Sequence, residues 1–267
     1  MSFLNLQKHL IKLGAFALKN WLITKKGVFH LFEILFWPLI SLISVGLLTQ
    51  FLELESKMVE FVLIGVIAFS VIQIGQLDMA YVILYSIWNK SLKHELAAPV
   101  SAFHLVGGSW VMGVIHSLLI FLLLCVFSSF AFHLNFLDLG IGRLLLFFLS
   151  LVFFTAFVGI LVCAFAFRFG GRAHVGATFI VSGLVLISGI YYPVEILPKA
   201  LRFVAYLIPL TYFLEYFRSF YGFAPKTTNP LLLGFLLTAL YNTIAVYFLC
   251  LSIRNARQKG ILTKMSE

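Results

Sequence analysis

YYPVEILPKALRFVAYLIPLTYFLEYFR, residues 191–218, interrupts a series of membrane-length apolar runs with proline, charge and aromatic rings. Pro193, Pro198 and Pro209 each lack a backbone donor and break helical continuity, and Glu195, Lys199, Arg202, Glu215 and Arg218 are costly at a bilayer centre. Between the breaks Leu201, Val204, Ala205 and Ile208 recur at helical spacing, while Tyr206, Tyr212 and Tyr216 suit the headgroup level, where a ring is half wet. The stretch predicts a short amphipathic element folded back at the surface, a re-entrant hairpin within residues 192–229, and not a plain crossing helix.

The rest of the chain sets that stretch in context. Of 267 residues 62% are hydrophobic and 11% charged, with a mean hydropathy of +1.06. Soluble domains carry roughly 25% charged residues, so this composition is that of an all-α polytopic membrane protein. Crossings of about 20 apolar residues are expected at Phe29–Leu52, Glu60–Ile83, Leu105–Phe132, Leu144–Phe167, His174–Tyr191 and Leu231–Ser252, which makes six. The organisation is then an interfacial segment at 1–28, a transmembrane domain at 29–253 and a basic tail at 254–267. The long apolar run begins only near Phe29, so no cleavable signal peptide is expected. Cys125, Cys163 and Cys250 lie in apolar runs without a C-x-x-C pair and indicate neither a disulfide framework nor a zinc site.

The net charge of +9 becomes informative once its residues are placed. Lys90, Lys93, Arg168, Arg172, five lysines before residue 27 and Arg254, Arg257, Lys259 and Lys264 fall on one side of the six-span arrangement. Lys57, Arg143, Lys199, Arg202, Arg218 and Lys226 fall on the other, where Glu53, Glu55, Glu60, Asp138, Glu195 and Glu215 neutralise them. The positive-inside rule puts both termini in the cytoplasm. Orientation and anionic lipid thus account for the charge, and nucleic acid is not an expected partner. In the lead segment Lys8, Lys12, Lys19 and Lys26 share one helical side and Phe3, Leu6, Leu10, Leu13, Ala17 and Trp21 the other, the pattern of a helix lying in the interface; a removed targeting helix is the alternative.

The connection after the second span, SIWNKSLKHELAAPVSAFHLVGG (residues 86–108), is short, polar and helix-compatible. Asn89, Lys90, Lys93, His94 and Glu95 supply polarity, Leu92 and Leu96 an (i, i+4) apolar pair, and Pro99 a helix stop. Such an element can dock in a groove of a soluble partner, or be an ordinary wet loop. No G-x-x-x-x-G-K-[ST], H-E-x-x-H or G-x-S-x-G occurs, and the seven histidines show no i, i+4 metal-binding pair. Most of them lie near expected interfaces; His116, within the third span, is the exception, as a haem ligand, a proton site or, preferentially, a partner in an interhelical hydrogen bond. Ser70, Gln73 and Gln76 line one stripe of the second span, either a substrate path or a contact with another helix. Asp78 and Glu33 are expected to pair with lysine or arginine at the cytoplasmic interface.

The order of these elements resembles the permease subunit of type-2 ABC exporters, over nearly the whole chain. Tyr192-Pro193-Val194-Glu195-Ile196-Leu197-Pro198 and Pro209-Leu210-Thr211-Tyr212 with Glu215 and Arg218 look like that family's extracellular signature, and Glu95 to Ser101 like the end of its coupling helix. The family often has Asn before the second proline, where this chain has Ile208. The resemblance implies a non-catalytic permease of the bacterial inner membrane, without a cofactor of its own. It would pair with a second copy or a close relative and with two separate ATPase subunits that bind ATP and Mg. Residues 87–103, with Asn89 to Pro99 at their centre, would transmit ATPase motion, Glu195 to Tyr221 would cap the outer mouth, and Ser70, Gln73, Gln76, Thr178 and Ser182 would be candidates to line the path of a drug, lipid, glycan or peptide. A proton-coupled secondary carrier is the first alternative. An intramembrane enzyme is the second, and its weakness is that His116, Asp78 and Glu33 fall at different expected depths.

Overall fold

The computed structural model describes residues 3–97, 100–170 and 173–258, and among these no strand occurs. Ten α-helices follow one another: α1 (Phe3–Lys26), α2 (Val28–Phe51), α3 (Ser56–Trp88), α4 (Leu92–Ala97), α5 (Ala102–Phe132), α6 (Ile141–Phe169), α7 (Ala173–Ile187), α8 (Lys199–Leu207), α9 (Pro209–Arg218) and α10 (Pro230–Gln258). Five of them, α2, α3, α5, α6 and α10, are long and apolar enough to cross a bilayer. The pair α8–α9, bent by 87°, makes a sixth if it counts as one broken span. The stretch expected as the fifth span is shorter than read from sequence. Helix α7 stops at Ile187 after 15 residues, about 22 Å against a hydrocarbon core of about 30 Å. Ser188 and Gly189, the latter with φ +71°, end it.

Helix α3 is the spine. Its 33 residues extend about 50 Å, and buried side chains run from Phe61 to Ile87 on all its faces. An all-round apolar helix belongs in the centre of a bundle, and α2, α5, α6, α7 and α9 surround it. Helices α2 and α10 keep large exposed side chains, among them Trp37, Leu47, Phe51, Leu232, Leu236 and Tyr247. The core packs the rings of Phe136, Phe147, Phe154, Phe213 and Phe217 with the aliphatic residues of α3; Phe147 and Phe217 stack at 3.9 Å.

Small residues set how closely the helices approach. Helices α3 and α5 are antiparallel and touch backbone to backbone: a Cβ on Gly113 would stand 2.8 Å from Gly75 O, and one on Gly75 2.8 Å from Ser117 Oγ. Ser117 Oγ donates to Val71 O at 2.9 Å just beyond this crossing. Without a hydrophobic driving force between helices in lipid, such approach and interhelical hydrogen bonding supply the association energy. Helix α1 lies against α5 in the same manner, with Leu13, Phe16 and Ala17 over Gly107 and Gly108. Gly113→Val is expected to cost about 1–3 kcal/mol by overpacking. A lowered melting temperature of the detergent-solubilised protein, with Gly142→Val in open space near neutral, checks it.

Candidate functional site

Three groups of residues singled out in the sequence stand at successive heights along α3. At its C-terminal end the chain turns through Asn89 and Lys90, the latter left-handed with φ 57°, and Ser91 N closes the turn on Ser86 O at 2.9 Å. Helix α4 follows, too short to persist alone. Leu92 is buried with Val106, Ile83 and Phe167, while Asn89, Lys90 and His94 face outward. Glu95, expected on the charged outer face, points inward instead. Its carboxylate accepts hydrogen bonds from Ser86 Oγ (2.9 Å), Ser91 Oγ (2.8 Å) and Lys19 Nζ (2.6 Å). Lys19, grouped with the surface lysines, is turned in because a half-buried carboxylate needs a counter-charge. Pro99 and the side chains of Lys93 and Leu96 lie outside the described residues.

Half-way along α3, Gln73 and Gln76 meet Ser182 of α7 in a cleft of about 170 Å³ that Phe69, Tyr81 and Val185 help to wall. Gln76 Oε1 is buried there without a hydrogen-bond partner. Ser70 is not in this wall; it is buried and donates to Val66 O of its own helix at 2.8 Å. Thr178 lies one turn before Ser182 in α7, and its side chain is outside the described residues.

At the opposite end the two signature motifs fold onto one another. Pro193 precedes a single 3₁₀ turn (Val194–Ile196), Pro198 precedes α8 and Pro209 opens α9, where its missing N–H is not needed. No side chain of Ile208 caps α9. Thr211 Oγ1 instead donates to Ala205 O (2.8 Å) and Tyr212 OH to Tyr206 O (2.7 Å), fastening α9 back onto α8. Tyr192 OH donates to Leu186 O at the end of α7. Glu215 accepts from Thr227 N (3.1 Å), Thr227 Oγ1 (3.0 Å) and Lys226 N, and Glu195 pairs with Lys226 Nζ at 2.6 Å.

Arg218 joins this element to the spine. Buried, it donates to Gly189 O (2.7 Å), Ile190 O (2.7 Å) and Phe61 O (2.8 Å) and lies 3.4 Å above the Phe61 ring. The carbonyls of Gly189 and Ile190 belong to the chain just past α7, where amide donors run out, and that of Phe61 to the second turn of α3. Gly65 makes the approach possible: a Cβ there would fall 1.9 Å from Ile190 O. Between these groups lies a cavity of about 180 Å³, lined by Ser188, Glu195, Thr211, Glu215, Arg218 and Phe223 among others.

Residues 21–221 match the family model of the ABC-2 type transporter. The chain belongs to the ABC-2 type transporter family. The match takes in Glu95, the glutamine cleft and Arg218, and leaves Lys19 and α10 beyond its ends. The inner membrane transport permease YadH of Escherichia coli K12 is 26% identical over 194 residues, 73% of each chain, as is that of Shigella flexneri. An uncharacterized protein of Archaeoglobus fulgidus is 50% identical over 58 residues, 22% of this chain and 91% of its own. Apolar helices and family together make the chain a multi-pass membrane protein.

In this ABC-2 permease Asp78 Oδ2 stands 2.6 Å from His116 Nδ1. Helix α3 continues ten residues past Asp78 to Trp88, which sets the carboxylate about 15 Å inside the helix end. Side chains tilt toward the N-terminus of their own helix, so across the antiparallel Gly75–Gly113 crossing Asp78 and His116 reach toward one another. Glu33, expected to find a lysine, accepts from Tyr81 OH at 3.3 Å. Sequence reasoning missed Lys19, Asn20, Ser86, His9 and His104. His9 Nδ1 meets His104 Nε2 at 2.8 Å in a stacked pair, and Asn20 Nδ2 donates to Ser109 Oγ at 3.2 Å. The spacing from Asn20 to Thr24 is one helical turn of polarity, the only local hint.

Arg218→Met leaves buried carbonyls without donors at about 1–3 kcal/mol each; a melting temperature well below wild type, with Arg218→Lys between the two, is expected. Burial pushes the Glu195 carboxyl up, but the hydrogen bond and charge of Lys226, with Arg202 nearby, outweigh it and hold it below its ordinary value of 4.5. A lowered folded value gives stability that is present above about pH 4.5 and lost as pH falls through that lowered value. Melting temperature should therefore drop on acidification through this window in wild type and drop less in Glu195→Gln.

Proposed function

We propose that the chain is the permease subunit of an ATP-driven exporter, working with separate ATPase subunits and with a second copy of itself or a paralogue. On this reading six crossings leave both termini in the cytoplasm, with α1 in the cytoplasmic interface, its exposed Leu10, Ile11, Leu18, Trp21 and Leu22 toward lipid. Two partner ATPases bind ATP and Mg, and this chain contributes no catalytic group. The similarity to the inner membrane transport permease of Escherichia coli supports transport and an inner-membrane location.

The observation that carries the proposal is the fastening of α4. Leu92 and Glu95 tie this short helix to α3 and, through Lys19, to α1, while Asn89, Lys90 and His94 are left facing out. A push on α4 by a docked ATPase is thereby delivered to the C-terminal end of α3. The other end of α3 holds Arg218 of the re-entrant element through Phe61 O. A single helix thus connects the ATPase-facing surface with the outer mouth, past the Gln73–Gln76–Ser182 cleft where a drug, lipid or glycan-like substrate would pass.

The tagged protein, purified from its native membrane in mild detergent, should bring down a stoichiometric P-loop ATPase identified by mass spectrometry; its reproducible absence overturns the proposal. In the assembled complex Glu95→Gln should leave ATP hydrolysis running while transport per ATP falls about 5-fold or more. Unchanged transport would remove α4 from the coupling path.

A further inference from the structure

Helix α3 is buried along most of its length, but one file of side chains stays open. Phe69, Gln73, Leu77, Tyr81 and Tyr85 are half-buried and Trp88 is 50% exposed, at spacings of three and four residues that set them along one line of the helix. The file runs from the cleft at Gln73 and Gln76 to the C-terminal end of α3. Its last three rings follow one another closely: the centres of Tyr81 and Tyr85 lie 5.4 Å apart and those of Tyr85 and Trp88 5.5 Å. Tyrosine and tryptophan at a helix end ordinarily anchor it at the headgroups. Amides at the deep end of the file and a carboxylate beside it have no use in such an anchor.

The carboxylate is that of Glu33 in α2. A cavity of about 10 Å³ lies against it, walled by Ile34, Leu77 and Tyr81 among others, and Leu77 and Tyr81 also wall the larger cleft of about 170 Å³. Glu33 therefore stands beside the file where aromatic rings give way to amides. Tyr81 OH reaches it at 3.3 Å, long for a hydroxyl donor, and no lysine or arginine contacts it among the described residues. A carboxylate at membrane depth held by one long hydrogen bond favours a cation, and ring faces attract a cation within about 6 Å of their centres. Deeper in the cleft Gln76, 2% exposed, keeps its Oε1 buried without a hydrogen-bond partner. That acceptor calls for a donor which the described residues do not supply, and none of the described residues that line the cleft is charged.

We propose that the open file of α3 binds a lipophilic ammonium ion, its charged, donor-bearing end between Glu33 and Gln76 Oε1 and its apolar body along the rings toward Trp88. Glu33 supplies the counter-charge, Tyr81 and Tyr85 the π faces, and Gln76 the acceptor for an N–H or hydroxyl of the ligand. The same carboxylate repels an anion, so acidic lipids and acidic glycans are disfavoured. That the bound ion is the transported substrate rests on the permease reading above; the binding site itself does not.

The test is equilibrium dialysis of the full chain in phosphatidylcholine nanodiscs, with empty nanodiscs subtracted. Two probes are compared: propranolol, a naphthyl ether bearing a secondary ammonium and a hydroxyl, and 1-methoxynaphthalene, which has the ring without charge or donor. Wild type should bind propranolol saturably and about 10-fold or more tighter than 1-methoxynaphthalene. Glu33→Gln, which keeps an oxygen for Tyr81 OH, should weaken propranolol about 10-fold and leave 1-methoxynaphthalene unchanged. Gln76→Leu removes an unpaired buried polar group and so does not threaten the fold; it should weaken propranolol alone, by about 3-fold to 10-fold. Trp88→Leu should weaken both probes, by about 3-fold. Equal binding of the two probes by wild type, or any of the three variants binding propranolol as wild type does, overturns the proposal. So does the absence of saturable propranolol binding, the result expected if a second copy of the chain covers the file. Neither ATPase nor transport enters the measurement: binding without a co-purifying ATPase keeps this site and overturns the permease reading, and a co-purifying ATPase without binding does the reverse.

Discussion

The contact of Gly75 with Gly113 is the constraint on which the remaining structure depends. Only where both residues lack a side chain do α3 and α5 come within backbone contact. That closeness places Ser117 on Val71 O and His116 on Asp78, and it anchors α3 so that α2, α6, α7 and α9 pack around a fixed axis. A larger residue at either position would part the helices and separate every polar pair they share, because those pairs span distances of a single hydrogen bond.

The ends of α3 then answer a common problem, the supply of partners to polar groups that water does not reach. At one end a carboxylate is satisfied by two serines and a lysine; at the other a guanidinium is satisfied by carbonyls, with no carboxylate in contact among the described residues. Arg218 suits that role since its planar fork reaches several acceptors at once, which the point charge of lysine does not. Both arrangements tie short helices, α4 and the α8–α9 pair, to the one long rigid element. Motion of either short helix relative to α3 would break charged hydrogen bonds, so each is expected to move with the spine.

Much of the organisation was legible in the sequence, for reasons particular to each element. Helices α2, α3, α5, α6 and α10 follow from runs of apolar residues that only a helix satisfies in lipid. The break at 193–209 follows from three prolines and their charges. Gln73 and Gln76 also stood out, since amides are rare at depth and mark themselves, and they share a cleft with Ser182. Other features were not legible. Helix α7 ends earlier than its hydropathy implies because Ser188 and Gly189 release the carbonyls that Arg218 collects, thirty residues later in the chain. Lys19 reads as one more lysine of an amphipathic face, and nothing in its neighbourhood points to Glu95.

The amino-acid sequence by itself determined an all-helical, multi-pass chain with an interrupted segment ahead of its last helix and a charged connection after its second long one. These are decided by local burial and by backbone chemistry, which act over a few residues. Tertiary structure alone decided which polar groups meet: Asp78 with His116, Glu95 with Lys19, Arg218 with Phe61, Gly189 and Ile190. In hydrocarbon each such group must find a partner, but the sequence offers several of the right chemistry. Helix crossing, set by glycines that carry no chemical signal of their own, selects among them.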